Sequence, residues 1–129
     1  METTTTRPMT SHEVVETDLA YICDGLKDEF RQMAGSTLLI TGAAGFLGHY
    51  LLQGALYWND RRSGGARMRV VALDNFVRGV PGWLGELRGR TDLEVLAHDI
   101  TQPLPGSIGP ADYIVHAAAL KHLLKGNLS

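Results

Sequence analysis

Apolar and polar positions alternate along this chain in two distinct rhythms. Between residues 11 and 34, Val15, Leu19, Ile22, Leu26, Phe30 and Met33 recur at steps of three and four. That spacing puts them on one face of a helix. Thr10-Ser11-His12-Glu13 has the form of a capping box at its start, and Gly35 is a C-terminal stop. The rhythm then changes. Thr37-Leu38-Leu39-Ile40-Thr41 is a short continuous apolar run ending at glycine, as expected of a strand buried on both faces of a parallel sheet. Phe46 to Trp58 is again helical and apolar on one side, and Asn59 to Ala66 (NDRRSGGA) reads as a polar turn. Met68 to Leu73, ending at Asp74, predicts a second strand, and Pro81 to Arg88 a short helix. Leu93 to Ala97 predicts a third strand, TQPLPGSIGPA a turn-rich loop, and Asp112 to His116 a fourth strand.

Strands alternating with helices or long crossovers predict an α/β fold with a parallel sheet. The order expected is 3-2-1-4, a partial doubly wound sheet of the Rossmann type with an N-terminal helical extension. Residues 1–10, Thr-rich and polar, read as a flexible tail, 11–35 as the N-terminal helix, and 36–129 as the sheet domain. The stripe on the N-terminal helix must pack on something, either its own domain or a second subunit.

Composition narrows the class without changing the picture. The chain has 129 residues, 44% of them apolar and 20% charged, with a formal net charge of −2. This describes one globular domain, with no electrostatic reason to expect nucleic acid or an anionic membrane as partner. A single cysteine, Cys23, allows no internal disulfide and fits a reducing compartment. No apolar run approaches the length that crosses a bilayer, and METTTTRPMTSHE has no apolar signal core. The expected location is the cytoplasm.

The chemistry begins at LLITGAAGFLGHYLL, Leu38 to Leu52. Gly42, Gly45 and Gly48 follow a predicted strand and open a predicted helix. In that setting Gly42 allows the tight turn, Gly45 lets a pyrophosphate approach the backbone, and Gly48 lets the helix lie close to the sheet. Ala43 and Ala44 keep the loop narrow. Unpaired N–H groups and the helix dipole at such a start attract phosphate. Asp74, at the end of the second strand, is placed to accept from both hydroxyls of an adenosine ribose. It would repel a 2′-phosphate, so NAD is expected over NADP, although Arg78 lies near enough to hold such a phosphate. The alternative is a strand–helix turn with no ligand. The five histidines and one cysteine show no metal-ligand spacing, and no G-x-S-x-G elbow is present. His116, between Val115 and Ala117, reads as a packed strand-end histidine rather than a catalytic one.

Four motifs, TGAAGFLG (Thr41–Gly48), LDNF (Leu73–Phe76), HDIT (His98–Thr101) and DYIVHAAA (Asp112–Ala119), stand in the order in which they occur in the extended short-chain dehydrogenase/reductases. Over about residues 37–119 the chain resembles the NAD-dependent epimerase/dehydratase group acting on nucleotide sugars. The resemblance implies that Phe46 and Leu47 offer backbone N–H groups to the pyrophosphate and that Asp74 and Asn75 hold the adenosine ribose. It further implies that Asp99 accepts from the adenine amine beside the Ile100 backbone, and that Ala117, Ala118 and Ala119 form a small-residue wall beside the cofactor. AALKH resembles the inverting 4,6-dehydratase branch and AAGFLG the decarboxylase and epimerase branches, so no catalytic role carries over to Lys121 or His122. The family works through a Tyr-x-x-x-Lys pair. Here Tyr21, Tyr50, Tyr57 and Tyr113 are followed four residues later by Gly25, Gly54, Arg61 and Ala117. The expectation is therefore the N-terminal cofactor part of such an enzyme, with the catalytic and substrate lobes absent and a nucleotide sugar as partner only if they are supplied. The alternatives are a non-catalytic dinucleotide-binding module, an assembly module, and a truncated fragment inactive alone. An exposed fourth strand predicts a homo-oligomer or marginal stability.

Overall fold

The computed structural model describes residues 10–62 and 64–117. Two helices, α1 (Ser11–Gly25) and α2 (Lys27–Met33), precede β1 (Thr37–Thr41). Then come α3 (Phe46–Arg61), β2 (Arg69–Asp74), α4 (Gly82–Leu87), β3 (Leu93–Ala97), a 3₁₀ turn at Gly106–Ile108, and β4 (Tyr113–His116). The four strands form one parallel sheet in the order β3-β2-β1-β4. This is the expected α/β sheet and strand order.

Three registers align the sheet. Leu39 lies opposite Val71 and Ile114, and Asp74 opposite Ala97. At the start of β1, the Asp112 N–H donates to the Thr37 carbonyl at 3.0 Å, and the Thr37 N–H donates to Asp112 Oδ2 at 2.8 Å. One face of the sheet, carrying Leu38, Ile40, Val70, Ala72 and Leu93, packs on Phe30, Leu52, Ala55, Leu56, Trp58 and Leu84 from the helices. The other face, Leu39, Val71 and Leu73, is covered by Ile108 with Leu96 and Ala111. There Arg69 pairs with Glu94 and donates to the Ile108 carbonyl at 3.2 Å, which fastens the 3₁₀ turn to the sheet. The predicted turn-rich loop is thus the cover of this face.

Two local expectations are corrected. The helix expected over 11–34 is two helices broken at Leu26, whose φ of −109° and ψ of 15° leave the helical range. Its stripe continues across the break: Leu19 and Phe30 are buried, and Val15, Ile22, Leu26 and Met33 half-buried. The break lets Phe30 reach the Trp58 ring, 6.1 Å between centroids, so the N-terminal helices share the domain's own core. At the N-terminus Thr10 is the cap, its Oγ1 accepting from the Glu13 N–H at 3.1 Å.

The second correction concerns Asn59 and Asp60, read as part of a polar turn. They lie in the last turn of α3, and Asn59 is fully buried. Its amide closes a pair of hydrogen bonds with Met68: the Met68 N–H donates to Oδ1 at 2.9 Å, and Nδ2 donates to the Met68 carbonyl at 2.9 Å and to Asp92 Oδ2 at 3.0 Å. Beside it Arg90 donates to both Asp60 oxygens, at 2.7 and 2.9 Å, and to Asp92. Those bonds hold both carboxyls below the usual carboxylate range.

Candidate functional site

β1 ends in the turn 42–45. Gly42 has φ of 69°, a left-handed conformation that L side chains rarely adopt, and its carbonyl accepts from the Gly45 N–H at 3.1 Å. The Ala43 N–H donates to the Leu73 carbonyl at 3.1 Å, tying the turn to the end of β2. Gly48, one turn into α3, is the second constrained glycine. A Cβ there would lie 2.6 Å from Ala43 Cα and 2.7 Å from the Ala43 and Gly42 carbonyl oxygens. Helix and turn touch backbone to backbone. The cap residue Gly45 offers no side-chain acceptor to the first turn, so the N–H groups of Phe46, Leu47 and Gly48 have no intrahelical partner.

Asp74 ends β2 beside this turn. Its Oδ2 accepts from the Ala44 N–H at 3.0 Å, and its Oδ1 from the Phe76 N–H at 2.9 Å. Asn75 Oδ1 accepts from the Val77 N–H at 3.1 Å. The loop folds back tightly enough to hold Phe76 at φ of 53°, and the Gly79 N–H donates to the Phe76 carbonyl at 2.9 Å. A left-handed bulky residue costs about 1–2 kcal/mol, roughly what two such side-chain bonds return. Turn and loop border a half-open cavity of about 480 Å³, lined by Ala44, Gly45, Asp74, Asn75, Phe76, Val77, Arg78, Gly79 and Pro81. That volume suits a small-molecule moiety.

Of the residues named from the sequence, Ala44, Gly45, Asp74 and Asn75 meet on this wall. Gly42 and Gly48 build the turn behind it, and Phe46 and Leu47 open α3, with the Phe46 side chain 81% exposed and edge-on to Tyr50. Asp99 and Ile100 follow β3 on the neighbouring loop, outside the cavity lining. The Asp99 Oδ1 accepts from the Thr101 N–H at 2.9 Å and its hydroxyl at 2.7 Å, which lowers its pKa. The His98 N–H donates to the Asp74 carbonyl at 2.8 Å, so this loop starts beside the cavity. Ala117 is buried after β4, and Ala118 and Ala119 lie outside the described residues, as do Lys121 and His122. His116 is exposed rather than packed; its Nδ1 lies 2.7 Å from the buried Thr41 Oγ1, across the ends of β1 and β4. Among the described residues β4 is an edge strand, which leaves one side of its terminal residue open, and the flanking apolar letters do not reveal that.

Val77 and Gly79 were not singled out from the sequence, and Phe76 and Pro81 were read only as the end of LDNF and the start of a short helix; the clustering of Asn, Gly and Pro in LDNFVRGVPG was the available signal. His49 was also missed. Its ring lies tilted against that of Trp83 on α4, 4.4 Å between centroids, and Gln53 Nε2 donates to its Nε2 at 2.8 Å. Burial lowers its pKa. Among the described residues, no group of His, Cys, Asp or Glu converges on a metal position, and no helix is long and apolar enough to cross a membrane. No protein-family model and no curated protein matches the chain.

Proposed function

We propose that this chain binds a nicotinamide dinucleotide, NAD in the first instance, as the coenzyme-binding part of an oxidoreductase of the nucleotide-sugar epimerase/dehydratase type. The observation that carries the reading is the pairing of a helix start capped by glycine with a cavity that Asp74 lines. The diphosphate sits on the amides of Phe46, Leu47 and Gly48, where the dipole of α3 favours negative charge. The adenosine enters the cavity beside Asp74. Each Asp74 oxygen receives one main-chain N–H and keeps a second lone pair for a ribose hydroxyl. Gly48 fits the same role, since any Cβ there would force the turn and helix apart. The location past the carboxyl ends of β1 and β2 is where open α/β sheets receive ligands.

The bound coenzyme supplies hydride-transfer chemistry. This chain's described residues bind and orient it, and a nucleotide sugar is a substrate for the chain joined to a Tyr-x-x-x-Lys-bearing lobe. A cytoplasmic setting accords with the one free cysteine, Cys23. Self-association through β4 is supported by its edge position among the described residues and by Ile114, 59% exposed. Isothermal titration with NAD tests the binding reading: saturable binding tighter than millimolar is expected in the wild-type chain, and its absence refutes it. Size-exclusion chromatography with light scattering tests self-association, for which a monomer at all concentrations is the adverse result.

A further inference from the structure

We infer that His49 is a positioning residue for the cavity: its neutral ring, set against Trp83, fixes the separation of the starts of α3 and α4, and with it the wall that their caps form. The inference rests on the dinucleotide reading above. Gly45 caps α3 and Pro81 caps α4, and both line the cavity. Each cap is tied to the first turn of its helix. The His49 N–H donates to the Gly45 carbonyl at 2.9 Å, and the N–H groups of Leu84 and Gly85 donate to the Pro81 carbonyl at 3.1 and 3.0 Å. Between the two turns stands the ring pair of His49 and Trp83, 4.4 Å between centroids. Leu84 is fully buried and holds α4 on the core, while half-buried Trp83 reaches across to α3.

The imidazole suits this task in one protonation state. Gln53 Nε2 donates to His49 Nε2 at 2.8 Å, which requires a lone pair on that nitrogen. In the imidazolium both ring nitrogens are donors, and the Gln53 amide must turn round to offer its oxygen. The ring is half-buried, and burial lowers its pKa. It also stands near the start of α3, where the helix dipole disfavours a cation. The charged groups on the elements packed about it are Asp18 of α1, which accepts from the Tyr50 hydroxyl at 3.4 Å, exposed Glu86 and Arg88 of α4, and Asp74 and Arg78 of the cavity wall. None of them bonds the imidazole among the described residues, so protonation brings an uncompensated charge into the contact and works against it. The cavity keeps its shape when His49 is neutral and loses it as the ring takes up a proton.

The test measures NAD affinity by isothermal titration between about pH 7.5 and about pH 5 for the wild-type chain, His49→Phe, His49→Ala and Trp83→Leu. In parallel, NMR follows the His49 ring proton, assigned by its loss in His49→Phe, with and without saturating NAD. The wild-type affinity is expected to fall about fivefold toward the acid end. His49→Phe keeps a ring against Trp83 and has no proton to gain, so it stays within about threefold of wild type at neutral pH and is flat with pH. His49→Ala and Trp83→Leu lose about tenfold at neutral pH. By reciprocity NAD lowers the His49 pKa, an effect that a merely structural histidine would not show. His49→Phe and the NMR titration decide the matter even where the other two variants fail to fold. The same pH slope in wild type and His49→Phe, or a His49 pKa that NAD leaves unchanged or raises, overturns the inference while leaving the dinucleotide reading standing. Failure of NAD to bind the wild-type chain at any pH overturns that reading and this inference with it.

Discussion

Asn59→Ala removes a fully buried amide that serves three hydrogen bonds. Two of them are the bonds of the Met68 N–H and carbonyl, and Met68 is itself buried. Each orphaned buried group costs about 1–3 kcal/mol, so Met68 alone accounts for about 2–6 kcal/mol. The third bond matters less, because Asp92 Oδ2 retains Arg90 at 2.9 Å. We take about 4 kcal/mol as the expected loss, a large part of the roughly 5–15 kcal/mol by which domains are stable. With a urea dependence of about 1.5 kcal/mol per molar, the unfolding midpoint should fall by roughly 2–3 M. Asn59→Asp keeps the shape and the bond from the Met68 N–H. It cannot donate to the Met68 carbonyl, and it sets a second carboxylate beside Asp92. It should lose at least as much at neutral pH and recover part of that on acidification, as the new carboxyl takes up a proton. The measurement is equilibrium urea unfolding followed by far-UV circular dichroism at neutral pH and near pH 5. An Asn59→Ala midpoint within about 0.5 M of wild type would refute the reasoning, since it would mean that the Met68 groups found other partners.

Gly48→Ala places a Cβ 2.6 Å from backbone, so α3 must move off the turn; NAD binding by titration should drop by at least about tenfold, with a lowered melting temperature. The depressed pKa values of Asp60 and Asp92 mean that the unfolded chain takes up protons first as pH falls. Their contribution is full above about pH 4, the unfolded value, and is lost as pH drops through the lower folded values. Arg90→Gln should therefore flatten the acid limb of a plot of melting temperature against pH, and an unchanged limb would contradict the assignment. Thr10→Ala deletes the acceptor for the Glu13 N–H and should cost about 0.5–1 kcal/mol in urea unfolding, with a loss of helical signal confined to α1.

The strands were legible because their signal is local. Leu38-Leu39-Ile40 is an apolar run and Leu93 to Ala97 is apolar but for Glu94, each is bounded by polar residues, and the strands fall where these segments do. The break at Leu26 was not legible, since the stripe from Leu19 to Phe30 keeps helical spacing on both sides of it. Asn59 was misread for a related reason. Its neighbours NDRRSGG have turn composition, while its partners Met68 and Asp92 lie 9 and 33 residues away. A polar residue buried by long-range bonds looks, in sequence, like one facing solvent. At the site, Gly42 and Gly48 were legible as a pattern because their spacing follows from the strand–turn–helix geometry, and Asp74 because it ends the second predicted strand. What Asp74 does in the folded chain was not. Its bonds to Ala44 and Phe76 depend on how two loops meet, and its neighbour Phe76 takes a left-handed conformation that no residue type announces.

Helix α3 is fastened at both ends. At its first turn Gly48 presses on the backbone of residues 42–43, and about 16 Å further along, at roughly 1.5 Å per residue, Asn59 is bolted to Met68. A rod clamped twice has little freedom to rock, so its opening amides keep their aim whatever occupies the crevice. A guest arriving there pays almost no ordering penalty to the host, and capture should be quick, with a modest unfavourable entropy and no slow isomerisation phase in stopped-flow traces.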